Sequence, residues 1–162
     1  MYKVLFVCLG NICRSPLAEA IFKHKLQDRK LGKYLHADSC GTSNYHIGDP
    51  PDLRTLSNAR KNGISIIHLG RQLKANDLDE FDMLLAMDKS NLYNIKRHDK
   101  NGLYQAKVDL MRAFDDQGKH EDVPDPYYGG EEDFQLVFEI LERSSENLLD
   151  HIEAEKLPGL KL

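Results

Sequence analysis

Val4-Leu5-Phe6-Val7-Cys8-Leu9-Gly10-Asn11-Ile12-Cys13-Arg14-Ser15-Pro16 is the stretch from which the fold can be read. Val4 to Val7 form an unbroken apolar run, as expected of a strand buried on both faces of a parallel sheet. Ser15-Pro16 marks a helix start, because serine favours the N-cap and proline the first helical position. The loop from Cys8 to Arg14 thus closes on a helix N-terminus, and Gly10 and Asn11 are the residues in it that most readily take positive φ. Such a turn gathers unpaired backbone N–H groups around an anion. The stretch reads as a phosphate cradle with a cysteine at its base.

Working outward, Leu17, Ala18, Ile21, Phe22 and Leu26 recur at helical spacing and predict a helix from Ser15 to about Arg29, ended by Gly32. Tyr34 to Asp38 reads as a second strand leading into the turn-rich Ser39-Cys40-Gly41-Thr42-Ser43-Asn44. This is a βαβ unit, whose crossover is right-handed. A second helix opens at Pro50-Pro51, carries Leu53, Leu56 and Ala59, and stops at Asn62-Gly63. Met83 to Met87 predicts a third strand, Asp88 an N-cap for a helix carrying Leu92 and Ile95, and Ala106 to Val108 a fourth strand. Ile64 to Ile67 is too short to classify. Leu110 to Gly130 is loop, and loops of that length in a compact domain are usually functional or mobile. A last helix runs through Phe134, Val137, Phe138, Leu141, Leu148, Leu149 and Ile152 to Pro158-Gly159, with Glu131, Glu132 and Asp133 complementing its dipole. Alternating strands and helices without repeats or linkers imply an α/β fold, a single domain over residues 1–162, with a small parallel sheet covered by helices on both faces. Ligands of such sheets sit beyond the carboxyl ends of the strands, where the loop after Val7, Ser39, Asp88 and the segment after Val108 all fall.

The chain has 162 residues, 41% hydrophobic and 30% charged, which is ordinary for a globular protein with a real core. No apolar run approaches the roughly 20 residues of a membrane span, and the amino-terminal run lacks the length and flanks of a signal peptide, so the expected setting is cytoplasmic, with no membrane association. A net charge of -4 leaves no footprint for nucleic acid. The 3 cysteines are an odd number, and Cys8, Cys13 and Cys40 lack the paired spacing of zinc sites, which leaves a reactive thiol as the more informative reading.

Cys-x5-Arg alone is a weak pattern; its context strengthens it. Phosphoryl transfer needs an in-line nucleophile and donors for the equatorial oxygens. Loop amides, the helix dipole and the Ser15 hydroxyl all favour negative charge on the Cys8 sulfur. Arg14 supplies a planar fork for phosphate oxygens. Cleaving a phosphate ester also requires an acid to protonate the departing oxygen. Asp125, between two prolines in a loop, is the best placed; Asp38, Asp49, Asp52 and Asp88 compete on the same grounds. Cys13 shares the loop with Cys8, and the curl that cradles phosphate brings a reversible disulfide within reach, with Cys13 protecting Cys8 from overoxidation. Cys40 reads as structural.

Cys8 to Pro16 resembles the signature of the low-molecular-weight protein tyrosine phosphatases, and Asp125-Pro126-Tyr127-Tyr128 resembles their general-acid loop. The likeness extends through Asp38-Ser39, Gly48-Asp49-Pro50-Pro51-Asp52, His68 and Met87-Asp88-Lys89-Ser90-Asn91. It implies a single-domain Rossmann-like three-layer fold with a four-stranded parallel sheet in the order 2-1-3-4. It also implies Cys8 as nucleophile, Arg14 as phosphate clamp, Ser15 as an aid to Cys8 as leaving group, and Asp125 as acid then base. Leu9, Gly10, Asn11, Ile12 and Cys13 complete the phosphate-binding loop. Asn11, Ser39 and His68 would hold the loop in shape, and Asp88 would support it. No metal or other cofactor is implied. Tyr127 and Tyr128 would wall a cleft for a phenyl phosphate, with Tyr45, where relatives often carry tryptophan, on the opposite rim.

The implied protein is a monomer acting on phosphotyrosine proteins or peptides, with inorganic phosphate as product and inhibitor. Three alternatives share the fold. A thioredoxin-coupled arsenate reductase needs further cysteines after the third strand, and Asp82 to Asp99 contains none. A protein arginine phosphatase resembles this loop with threonine in the place of Ile12. An inactive phosphopeptide-binding module would not need Cys8, Arg14 and Asp125 together.

Overall fold

The apolar run opens a strand of seven residues, β1 (Tyr2–Cys8), in which Val4, Leu5, Phe6 and Val7 are all fully buried. Their side chains alternate between two cores. Val4, Phe6 and Cys8 pack with helix α1 (Arg14–Asp28) and the long helix α5 (Glu131–Glu155), whereas Leu5 and Val7 pack on the other face with Leu78, Phe81 and Ile95. Burial on both faces is why the run is continuous, and each such side chain stabilises the fold by about 1.5–3 kcal/mol. Phe6 meets Phe22 of α1 edge to face with ring centroids 5.6 Å apart.

The computed structural model describes residues 1–160. Strand β2 (Leu35–Gly41), helix α2 (Leu53–Lys61), the single turn α3 (Asp77–Glu80), β3 (Met83–Ala86), α4 (Lys89–Lys96), β4 (Val108–Leu110) and the terminal turn α6 (Leu157–Leu160) complete the order. The four strands are parallel in the order β2-β1-β3-β4, the order that the resemblance implies. Their register puts Val7 beside Cys40 on one side and Ala86 on the other, so that Cys8, Ser39 and Asp88 come to one end of the sheet.

Several boundaries differ from those read in the sequence. Helix α1 begins at Arg14, with Cys13 in the cap position; Ser15 is inside the first turn, and its hydroxyl faces Cys8 instead of capping. Strand β2 runs three residues past Asp38, because Ser39, Cys40 and Gly41 pair with β1 as far as Cys8. β3 stops at Ala86, although the Met87 amide still bonds the Val7 carbonyl. Strand β4 lies at Val108–Leu110, and residues 105–107 form a 3-10 turn. Pairing of Leu84, Leu85 and Ala86 with Val108, Asp109 and Leu110 decides this, and local propensity carries no trace of it. Helix α5 ends at Glu155 and not at Pro158. Residues 64–67 belong to no helix or strand. The stretch from Leu110 to Gly130 is not bare loop: Met111–Phe114 is a 3-10 turn, and Met111, Asp115 and Val123 are fully buried.

Candidate active site

Cys8 ends β1 with its sulfur almost wholly buried. The Asn11 amide donates to the sulfur at 3.2 Å, and the Ser15 hydroxyl lies 2.9 Å from it. Asn11 Nδ2 donates to Ser15 Oγ at 2.8 Å, which leaves the Ser15 proton free to point at the sulfur; the alternative acceptor, the Cys40 carbonyl, is farther at 3.3 Å. Asn11 has φ of 58°, as expected; Gly10 is not among the residues with positive φ. The loop presses against β2 so closely that a Cβ on Gly41 would lie 2.7 Å from the Leu9 carbonyl, which explains the glycine there.

Asn11 is the pivot of the loop. Besides Ser15, its Nδ2 donates to Ser39 Oγ at 3.0 Å, and its Oδ1 receives the Arg71 amide at 3.0 Å and faces His68 Nε2 at 2.7 Å. Both amide donors and both acceptor positions are used, so one orientation satisfies the site. Ser39 donates onward to Glu19 at 2.8 Å, and His68 Nδ1 lies 3.2 Å from the same carboxylate. Burial pushes the Glu19 carboxyl up, but hydrogen bonds from His68, Lys23 and Ser39 together bring it below the usual carboxylate range. Glu19 and Arg71 were not anticipated. An acid flanked on both sides by apolar residues between Leu17 and Phe22 was the available signal for Glu19, since such a stretch leaves little solvent-facing surface.

Arg14, at the start of α1, is buried. Its Nη1 donates to Asp88 at 2.8 Å and to the Val123 carbonyl at 2.9 Å, which turns the Nε and Nη2 edge toward the cleft. Burial alone would lower the guanidinium, but Cys8, Asp88 and Asp125 hold it above its ordinary value, so it stays charged. Asp88 also caps α4 as expected, accepting the Asn91 amide at 2.7 Å. Asp125 is half-exposed, with one oxygen 3.8 Å from Arg14 Nη2 and the other accepting the Tyr127 amide at 3.1 Å. Of the competing aspartates, Asp38 pairs with Arg71, Asp49 with His46 and Asp52 with Arg54.

Leu9, Gly10, Ile12, Cys13, Tyr45, Tyr127 and Tyr128 line a 340 Å³ cleft above Cys8 and Arg14 together with Asp125. His46, which no motif in the sequence singles out, lines it too. Tyr128 is 96% exposed and meets Tyr127 edge to face with centroids 5.0 Å apart, leaving its face open to an incoming ring. Arg54 backs Tyr127 from behind, 5.3 Å from its ring centroid, and donates to its carbonyl at 2.8 Å. A larger groove of 460 Å³ between α2 and α5 is lined by Glu131 and Glu132 but by no cysteine, and Glu131 is paired with Lys61, so the smaller cleft carries the chemistry. The Cys13 thiol is pushed up to about 12, mainly by burial, with Asp52, Cys8 and Asp125 adding to it and the nearby Thr55 hydroxyl opposing it. Cys40 is fully buried in the opposite core, and burial holds its thiol well above the ordinary range. Among the described residues, Glu19, Asp38 and His68 bring ligand atoms within 4.8 Å of one another, but the bonds to Ser39, Lys23, Arg71 and Asn11 already engage them.

The family profile of the low molecular weight phosphotyrosine protein phosphatases matches residues 3–157. The chain is 47% identical over 137 residues to the low molecular weight phosphotyrosine protein phosphatase of Gallus gallus, covering 84% of this chain and 86% of that one. Among solved structures, a protein tyrosine phosphatase from Entamoeba histolytica with Hepes in its active site superposes with a TM-score of 0.92 at 40% identity, covering 96% of this chain and 99% of that one. The Drosophila arginine phosphatase superposes with a TM-score of 0.86 at 33% identity, covering 95% and 99%.

Proposed function

Because this chain belongs to the low-molecular-weight phosphotyrosine protein phosphatase family and is a protein tyrosine phosphatase, we propose that residues 1–162 act as one domain that hydrolyses phosphotyrosine and aryl phosphate esters through a phosphocysteine on Cys8. The observation that carries this is the convergence of Cys8, Arg14 and Asp125 in one cleft, with the sulfur held between the Asn11 amide and the Ser15 hydroxyl. The Cys8 thiolate attacks phosphorus, and the phosphorus–oxygen bond to the phenol breaks as Asp125 delivers its proton to that oxygen. The loop amides and the free edge of Arg14 hold the equatorial oxygens. Water then attacks the phosphocysteine, Asp125 takes its proton, the Ser15 hydroxyl stabilises the departing sulfur, and inorganic phosphate leaves. Asn11, Ser39, His68 and Asp88 act by keeping the loop and clamp in place. No metal or other cofactor takes part.

Tyr45, Tyr127 and Tyr128 select a planar aryl group whose length lets its phosphate reach Cys8, which a phosphoserine cannot match. The partners are phosphotyrosine proteins or peptides, inorganic phosphate is a product inhibitor, and the protein works as a cytoplasmic monomer; no described helix is long and apolar enough to cross a membrane. The likeness to the Drosophila arginine phosphatase supports phosphoarginine as the second reading. Side-by-side turnover of peptides carrying phosphotyrosine, phosphoserine and phosphoarginine tests the choice. Phosphotyrosine should be hydrolysed fastest, and faster hydrolysis of phosphoarginine would overturn the substrate assignment.

Cys13 serves as the resolving cysteine. Peroxide converts the Cys8 thiolate to a sulfenic acid, which condenses with the Cys13 thiol to a disulfide and water. Its high thiol position makes Cys13 a poor nucleophile toward substrate and leaves that role to Cys8. Thiol treatment should restore peroxide-inactivated wild-type enzyme and restore Cys13→Ser far less; equal recovery would remove Cys13 from the cycle.

A further inference from the structure

We propose that Arg112 is a positioning residue for the general acid: its buried guanidinium is the post around which residues 115–122 are wound, and Asp125 inherits its place from that winding. The inference rests on Asp125 as the acid. Arg112 is 8% exposed. Its Nε donates to Asp115 at 2.8 Å and its Nη1 to the Asp122 carbonyl at 3.0 Å, while Glu121 lies 3.3 Å from Nη1 and the Arg112 carbonyl receives the His120 amide at 2.9 Å. Gly118 lies flat against the guanidinium, where a Cβ would come within 1.8 Å of Nη2. The loop therefore meets this one residue at Asp115, Gly118, Glu121 and Asp122 through its side chain and at His120 through its carbonyl.

The post itself is fixed to the body of the fold. Asp115, fully buried, also binds Arg143 of α5 at 2.6 and 3.0 Å, and Arg143 together with a Gln117 amide bond holds its carboxyl down to about 2. At the far end of the loop, the Asp122 side chain accepts the Lys89 amide at 3.0 Å, and the Val123 amide donates to the Met87 carbonyl at 2.7 Å. Val123 then presents its carbonyl to Arg14, and two residues later comes Asp125. Asp125 has little holding of its own: its close hydrogen bond is local, to Tyr127, and its nearest cation is 3.8 Å away. Its position is therefore set by its flanks, upstream by Asp122 and Val123 and downstream by Tyr127, whose carbonyl Arg54 holds. Arg112 reaches Asp122 directly.

A merely structural role would lower activity on every substrate alike; a positioning role acts only where proton delivery matters. Arg112→Met keeps the aliphatic stem and leaves Asp115 paired with Arg143. It should lower kcat/KM for phenyl phosphate by about 10–100-fold, the scale of a misplacement near 1 Å, and that for a nitro-activated aryl phosphate only slightly. In an Asp125→Ala background the same substitution should add almost nothing for phenyl phosphate, because the group it positions is gone. Arg112→Lys, which keeps one donor, should recover part of the loss and carries the same comparison if Arg112→Met does not fold. Equal losses on both substrates, or a loss that persists in the Asp125→Ala background, would overturn the proposal. If Asp125→Ala itself loses both substrates equally, the acid assignment falls. If Asp125→Ala is selective and Arg112→Met is not, only the positioning role falls.

Discussion

Cys8→Ser is expected to abolish turnover of phosphotyrosine peptides and aryl phosphates alike, a loss of at least about 10⁵-fold, while the fold and phosphopeptide binding persist. The serine hydroxyl is far harder to ionise than a thiol, so the loop amides and helix dipole that favour a charged sulfur have no comparable anion to stabilise. The substitution changes one buried atom at the end of β1, where neighbouring contacts come from Asn11 and Ser15, so the sheet and both cores remain. Arg14 stays pinned by Asp88 and Val123 and still presents its free edge to phosphate. Steady-state assays combined with binding of a phosphotyrosine peptide by calorimetry separate the two quantities. Turnover comparable to wild type would remove Cys8 from the reaction.

Asp125→Ala is expected to be selective among leaving groups. For phenyl phosphate, whose departing oxygen needs a proton, kcat/KM should fall by about 10²–10³-fold; for a nitro-activated aryl phosphate, which leaves as a stable anion, the fall should be small. The comparison belongs in kcat/KM, which reports the first chemical step. Asp125 also takes the proton from water in the second step, so kcat should fall for both esters. A uniform loss in kcat/KM would mean that Asp125 holds the loop instead of delivering the proton. Its half-exposed carboxylate beside Arg14 makes a purely structural role the weaker account.

Much of this could be read from local pattern. The apolar run before Cys8, with a turn and a helix start after it, is enough to place a cradle at the end of a central strand, and Asp88 is recognisable as a cap from its position between strand and helix. Ser15 shows the limit of the same rules: its place before proline marks a cap, but the chain enters the helix two residues earlier, and the hydroxyl is spent on Cys8 and Asn11. β4 shows another limit, since three residues of an edge strand take their register from β3 and not from their own propensities. His46 carried no chemical pattern in the sequence and reaches the cleft only because its loop bonds to Gly70.

By itself the sequence determined the alternation of strands and helices, the loop that carries Cys8 and Arg14, and, through two motifs more than a hundred residues apart, the family. Those features depend on neighbours within a turn or a strand, where spacing fixes geometry. The tertiary structure decided which polar groups complete the site: Glu19 with Ser39 and His68, Arg71 with Asn11, and Arg112 with Asp115 and Asp122. Hydrogen bonds act over about 3 Å, and which donor comes within that reach of which acceptor is settled only when the sheet order and the packing of α1, α5 and the 110–123 segment bring distant parts of the chain together.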